Sequence, residues 1–218
     1  MKVIDIDSWD RRSHYEWFSA FADPTLAMNV RMDVTRLLGC CCVRKISTFA
    51  ALMYIVCSCI NNIAAFRLRT LRGEVVELDR ADVAYTVLTD SGNFVNCRAP
   101  MGRGFHVFAK KVAENRCSVK HSYIQKQFND TSVVSDIYCS CVPWIDFTAV
   151  RQPIPDNDED NKSIPRVCWG KYVKDSEKVY MTLNITANHA LVDGLNLAQA
   201  FIDIQQAFYE PEKYLGND

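Results

Sequence analysis

Four things are missing from this sequence of 218 residues, and each absence removes a class of protein. There is no basic stripe: 25 Lys and Arg stand against 26 Asp and Glu, and the cations are scattered, so nucleic acid and anionic lipid are not expected partners. No apolar run opens the chain: MKVIDIDSWDRR places acidic residues where a signal peptide carries its hydrophobic run, so secretion by that route is not expected. A cytoplasmic protein is expected. There is no C-x2-C pair among the ten cysteines, so the spacing of a structural zinc site is missing and no metal is expected. With no internal repeat, low-complexity tract or linker, the 49% hydrophobic content reads as the core of one domain spanning residues 1–218.

The cysteines themselves cluster as CCC at Cys40 to Cys42 and as CSC at Cys57 to Cys59 and Cys139 to Cys141. Disulfide scaffolds are short secreted chains, whereas this chain is long enough to bury its own core, so reduced thiols packed as small apolar groups are expected. The stretch from Ile46 to Phe66 has no charged residue and the length of a membrane span. Ser47, Thr48, Ser58, Asn61 and Asn62 interrupt it and Lys and Arg flank it closely, so it reads as a central buried helix.

Along the chain, DSWDRRSHYEWFSAFAD has a candidate N-cap at Asp7 or Ser8 and places Tyr15, Phe18 and Phe21 at helical spacing before Asp23-Pro24 ends it. Leu26, Met28, Val30, Met32 and Val34 alternate with polar neighbours, the period of a half-buried strand. EVVELD and VAYTVLTDSGNFVNCRA read as further strands, the second a hairpin turning at Ser91 to Asn93. A helix is expected from Phe105 to about Phe128, then a strand in IYCSCVPWIDF with Pro143 marking its end or an edge. RQPIPDNDEDNKSIP, with three prolines and clustered acids, reads as a surface loop. Two long strands joined by KDSE follow, and then a closing helix with Leu197, Phe201, Ile204 and Phe208 on one face.

This organisation puts one chemical group in an informative place. In ITANHALVDGLN, His189 lies where the last strand ends, and Asp193 and Gly194 lie just before the closing helix. A histidine at such a junction is held by the sheet while its ring projects into a cleft, which suits a general base, although a structural histidine fits the same pattern. His189 and Asp193 could share a metal only on a continuous helix, and the Thr/Ile-rich strand before them argues against one.

Beyond these local readings, NHALVDGLNLAQAFIDIQ resembles the C-terminal signature HHAVCDGFHVxxFINxLQ of the chloramphenicol acetyltransferase family. Four more stretches match that family in its own order: DIDSWDRRSHYEWF, MDVTRLL, SCVPWIDF and GKY at Gly170 to Tyr172. The resemblance runs from about residue 5 to about residue 206. It implies an α/β two-layer sandwich of mixed sheet and helices, a homotrimer with active sites between subunits, acetyl-CoA as co-substrate, and a small-molecule alcohol acceptor with chloramphenicol as the candidate. Antibiotic resistance would then be the role.

Carried over residue by residue, the resemblance makes His189 the general base that takes the proton of the acceptor hydroxyl. Neutral imidazole as a class is available near neutral pH for that work. No acyl-enzyme is needed, so none of the cysteines need be a nucleophile. Ser140 matches the serine that stabilises the oxyanion, a contribution of about 3 kcal/mol for one preorganised donor. Asp193 matches an aspartate paired with the arginine matched here by Arg11, with a helix N-cap as its other reading. Gly194 would serve the tight turn, and Trp144, Lys171 and Tyr172 match positions near the coenzyme path. Two departures stand out: Asn188 replaces the first histidine of the family's HH, and Cys168 stands where a threonine helps hold a water at the intermediate. The alternatives to acetyl transfer are a non-catalytic small-molecule binder on the same fold and a thiol-rich metal or redox module.

Overall fold

The structure is a computed structural model that describes residues 1–119, 134–155 and 158–216. Its first half runs β1 (Lys2–Val3), α1 (Arg12–Ser19), β2 (Thr25–Asp33), α2 (Thr35–Arg44), α3 (Thr48–Asn62), β3 (Leu68–Leu71) and β4 (Glu74–Glu77). The hairpin β5 (Asp82–Leu88) and β6 (Phe94–Ala99) then leads into α4 (Phe105–Val119). The second half holds β7 (Asp136–Cys141), α5 (Glu159–Lys162), β8 (Arg166–Trp169), β9 (Val173–Asp175), β10 (Lys178–Asn188), α6 (Gly194–Tyr209) and α7 (Glu212–Leu215).

The strands form a mixed sheet in the order β2-β10-β8-β7-β5-β6, with β9 paired to β10, and a small sheet β1-β4-β3. β7 is parallel to both β5 and β8, while β10 is antiparallel to β8 and β2. This is the two-layer α/β sandwich: Leu183, Ile185, Val167, Trp169, Ile137 and Val83 share one buried core with residues of α2, α3, α4 and α6. The charge-free stretch around α3 is the centre of that layer, with nine buried residues between Ala50 and Ile60. Ser47 starts it by accepting the Ala50 N–H at 3.3 Å, which satisfies one of the unpaired donors of the first turn. Each large aliphatic chain sealed there contributes about 1.5–3 kcal/mol. In α6, Leu197, Phe201, Ile204 and Phe208 are buried together, as their spacing requires.

β10 is buried on both faces from Met181 to Asn188. Its odd positions enter the core, and Thr182, Asn184, Thr186 and Asn188 form a buried polar face on the other side. Those groups are paired within the chain: Asn184 Nδ2 donates to Asn29 Oδ1 at 3.1 Å, and Thr186 Oγ1 donates to Asn184 Oδ1 at 3.1 Å. The Val150 N–H reaches the same Asn29 oxygen at 3.3 Å, so the stretch after β7 covers this face.

Several local expectations change. The first helix begins at Arg12, and Asp5 rather than Asp7 or Ser8 caps the short 3-10 turn Ile6–Ser8 before it. The strand expected to reach Val34 ends at Asp33, and Thr35–Arg44 is helical once Val34 packs into the core. β7 ends at Cys141 before Pro143, but inside the sheet and not at an edge. The expected loop from Arg151 to Pro165 contains α5, and its last three residues are buried because they lead β8 into the sheet. The strand expected to run unbroken from Arg166 breaks at Gly170. The expected end of the α4 helix near Phe128 lies outside the described residues.

Candidate active site

The turn that follows β10 is closed by its own first residue. Asn188 accepts the Ala190 N–H on Oδ1 at 2.9 Å, and its carbonyl accepts the N–H groups of Leu191 at 3.0 Å and Val192 at 2.9 Å. Asparagine therefore performs local turn chemistry here that the histidine of the family pattern would do differently. His189 sits on this turn. Its N–H donates to the Pro24 carbonyl at 2.7 Å, and its ring stacks on Phe18 of α1 at 3.9 Å between centroids and 12° between planes. Nδ1 is buried, lies 3.5 Å from Asp193 Oδ1 and makes no hydrogen bond to any described residue.

Arg11 fixes the other side of the turn. Its Nη1 and Nη2 both donate to the Asp193 carboxylate, the second at 3.1 Å to Oδ1, and Nη2 also reaches the Ala190 carbonyl at 3.4 Å. The hydrogen bond from Arg11 is the main reason the Asp193 carboxyl stays below its usual range, against the opposing effect of burial. The Asp193 N–H donates to Asn196 Oδ1 at 3.0 Å, which anchors the start of α6. Gly194 is the first residue of α6; its φ is not in the left-handed region, and a Cβ there would meet only Met28 Cε at an ordinary 3.7 Å. The tight turn expected of Gly194 is made instead by residues 188–192.

A second set of expected residues gathers at the other end of the strands. Ser140 on β7 is directly opposite Cys168 on β8, which is opposite Asn184 on β10 and, through it, Asn29 on β2. Burial pushes the Cys168 thiol up to about 11, so it is a neutral group beside Ser140. Past the ends of β7 and β8, the Lys171 N–H donates to the Ile145 carbonyl at 3.0 Å and ties the PWIDF loop to the GKY segment. Gly170 leaves little room there: a Cβ would lie 3.1 Å from both the Ile145 oxygen and the Phe147 ring. Trp144 projects from this loop with 68% of its surface exposed, next to exposed Lys171 and Tyr172.

The structure thus joins Arg11, Asn188, His189 and Asp193 in one group, and Ser140, Trp144, Cys168, Lys171 and Tyr172 at a second place. The two are far apart. Ser140 and Asn184 share a row two strands apart, and His189 lies five residues further along β10. With strands about 4.8 Å apart and a rise of about 3.3 Å per residue, the two residues are roughly 19 Å from each other. Phe18 and Pro24 are site residues that sequence reading missed. Phe18 has the helical spacing of an apolar face, yet α1 buries no residue and that ring covers the histidine.

None of the ten cysteines is in a disulfide, and Cys57 and Cys139 approach to 3.5 Å between sulfurs in the core. Burial raises Cys41 to about 11 and Cys59 and Cys141 to about 12, which keeps them protonated and poor nucleophiles. Among the described residues no three His, Cys, Asp or Glu side chains come together as a metal site would need, and no helix is long and apolar enough to cross a membrane.

Comparison with known proteins gives this arrangement its class. The fold matches a solved chloramphenicol acetyltransferase with a TM-score of 0.87 and 22% identity, covering 96% of this chain and all of that one. It also matches the Azotobacter vinelandii dihydrolipoamide acetyltransferase with a TM-score of 0.68 and 13% identity, over 94% and 88% of the two chains. In sequence, a chloramphenicol acetyltransferase of Proteus mirabilis is 27% identical over 207 residues, 94% of this chain and 93% of that one. One from Escherichia coli is 27% identical over 212 residues, 94% and 92% of the two. A mixed sheet carrying a clamped histidine at a strand end, on this fold and with these relatives, defines an acyltransferase. The family profile of chloramphenicol acetyltransferase matches residues 1–206, and the chain belongs to that family.

Proposed function

We propose that this enzyme is an O-acetyltransferase that moves an acetyl group from acetyl-CoA to an acceptor hydroxyl, chloramphenicol being one candidate, in a ternary complex. One observation carries the reading: the His189 ring is clamped between Phe18 and the Asp193 turn with Nδ1 buried, while 28% of its side chain stays exposed. With Nδ1 buried, Nε2 is the ring nitrogen left to meet the proton that a general base must take. His189 takes the hydroxyl proton there and returns it to the departing thiolate. Arg11 and Asp193 hold the turn that aims the ring, and Gly194 opens the helix behind it.

The residues at the Ser140 end fit the second substrate. The exposed Trp144 indole and the Tyr172 ring would flank its apolar arm, and the Lys171 ammonium would meet a phosphate. Bound acetyl-CoA supplies the thioester. Ser140 Oγ would donate to the charge that develops on the acetyl oxygen, and Cys168, a weaker donor than threonine, would stand at the position of a held water.

The separation of roughly 19 Å within one chain means that His189 and Ser140 cannot both reach one reacting carbon, since each must come within about 3 Å of its partner atom. We infer that the complete site forms between copies, His189 of one facing Ser140 of the next, in a closed ring of three. The chain would act as a single domain of residues 1–218 in the cytoplasm, and turnover of chloramphenicol would make drug resistance its role. A coupled CoA-release assay with chloramphenicol and other alcohols tests the activity. His189→Ala is expected to lose at least about a hundredfold in rate, and a near-normal rate would remove His189 from the mechanism. Sedimentation analysis of the active species tests the assembly, and an active monomer would end it.

A further inference from the structure

Ser140 stands in a row of polar side chains that crosses neighbouring strands. On β5 and β7, which run parallel, Tyr85 is opposite Cys139, and both enter the core. The next residues, Thr86 and Ser140, are therefore opposite each other and point to the other face, because successive side chains alternate along a strand. Asn96 of β6 is opposite Thr86 on one side of the row, and Cys168 of β8 is opposite Ser140 on the other.

The row is unpaired around Ser140. The side chains of Asn96, Thr86 and Ser140 are half-buried and make no hydrogen bond to any described residue. Neither hydroxyl is a sealed, unpaired atom, so both are open to a ligand. Beyond Cys168 the same row continues to Asn184 and Asn29, and there the two amides bond each other at 3.1 Å.

The oxyanion of a tetrahedral intermediate carries a full charge, and Ser140 has a single hydrogen to give it. Cys168, on one side, offers a thiol, which is a weak donor. Thr86, on the other side, offers a hydroxyl. Neighbouring strands lie about 4.8 Å apart, so hydroxyls on two of them can each lie about 3 Å from one oxygen set between them. A sheet holds both donors in place, so they need no rearrangement as charge develops.

We propose that Thr86 is a catalytic residue, the second hydroxyl that donates to the oxyanion beside Ser140, in a role that the Cys168 thiol fills poorly. The proposal rests on the acetyl-transfer reading above. As the acceptor oxygen bonds to the thioester carbon, the carbonyl π pair moves onto oxygen, where Thr86 and Ser140 donate and keep their own protons. That pair returns as the carbon–sulfur bond breaks, and the acceptor's proton reaches the thiolate through His189 of the facing copy.

The test runs Thr86→Val, Thr86→Ala and Thr86→Ser in the CoA-release assay with the alcohol that the wild type turns over fastest, each variant checked for a normal thermal midpoint. The Val and Ala variants are expected to lose at least about tenfold in kcat with KM for acetyl-CoA and acceptor unchanged, and Thr86→Ser to stay within about threefold of wild type. Adding Cys168→Thr to Thr86→Val should recover the rate severalfold, a gain that a damaged fold would not give. A near-normal kcat in Thr86→Val, while Ser140→Ala loses its rate, would overturn the proposal and leave acetyl transfer standing. So would a raised acceptor KM at unchanged kcat, which assigns Thr86 to acceptor binding. No CoA release from the wild type with any alcohol would overturn acetyl transfer and this proposal together.

Discussion

The His189 end of the sheet is tied by side chains, whereas the Ser140 end is tied by backbone. At the first, Arg11, Asp193, Asn188 and Phe18 all converge on one turn and fix the ring in place. At the second, main-chain hydrogen bonds hold the loops over Gly170, and the side chains of Trp144 and Ile145 stand in solvent, 68% and 56% exposed. The difference fits the two tasks proposed for these ends. A base must be held in one orientation against thermal motion, because small misplacements slow proton transfer sharply. A surface that receives a long, flexible substrate needs reachable rings and charges more than fixed ones. On the proposed reading each end is half of a site, and their separation in one chain would make a second copy necessary.

The comparison breaks hardest on mixing. His189→Ala and Ser140→Ala should each lose about a hundredfold or more in rate, one from each end. Co-expressed as differently tagged chains, they should regain about a quarter of wild-type activity, the share of interfaces in random trimers that pair an intact His189 with an intact Ser140. No recovery in purified mixed oligomers would place the whole reaction within one chain. A smaller effect belongs to the His189 end alone: Arg11→Met is expected to lower kcat about tenfold with little change in KM for acetyl-CoA. A matching rise in KM would show that Arg11 serves binding instead.

At the Ser140 end, Gly170→Ala pushes a Cβ against the Ile145 carbonyl and the Phe147 ring. Steady-state kinetics and urea unfolding should show a severalfold higher KM for acetyl-CoA and a loss of about 1–3 kcal/mol. Unchanged values would mean that the loop yields easily.

The subtlest test uses two carboxylates on the His189 side of the sheet that titrate in opposite senses. Asp193 is held low by Arg11, so its stabilisation is present above the ordinary carboxylate pKa and is lost as pH falls through its lower folded value. Asp136, at the start of β7, is pushed up to about 6 by burial, against the opposing ion pair with Arg98 at 2.7 Å. Between about pH 4 and about pH 6 the folded state holds a proton that the unfolded chain has released, so stability falls as pH rises, by on the order of 2–3 kcal/mol. Urea midpoints measured across that range should show the slope in the wild type and lose it in Asp136→Asn. A slope that survives the substitution assigns it to another group.

Much of the fold was legible because its signals are local. The alternation from Leu26 to Met32, the hairpin around Ser91 to Asn93, the buried central helix and the face of α6 all follow from the periods of strand and helix. What failed did so where tertiary contacts compete with local preference. Arg11 occupies the cap position of α1 but sends its side chain to Asp193, so Arg12 and not Ser8 begins the helix. Phe18 has the spacing of a core residue, yet it packs on a histidine that lies far along the chain. A cavity beside the His189 turn draws on residues 22–25, 151–154, 162 and 188, four segments that no local pattern links.

By itself the sequence determined the elements, the placing of His189 after the last strand, and the resemblance that names its residues, because these depend on neighbours a few positions apart. Strand direction and pairing are different in kind. Only the tertiary structure decided that β10 runs against β8 and β7, and that reversal sends the ends carrying His189 and Ser140 to opposite sides of the sheet. Register is fixed by which buried faces match across strands far apart in the chain, so no local reading of the sequence contains it.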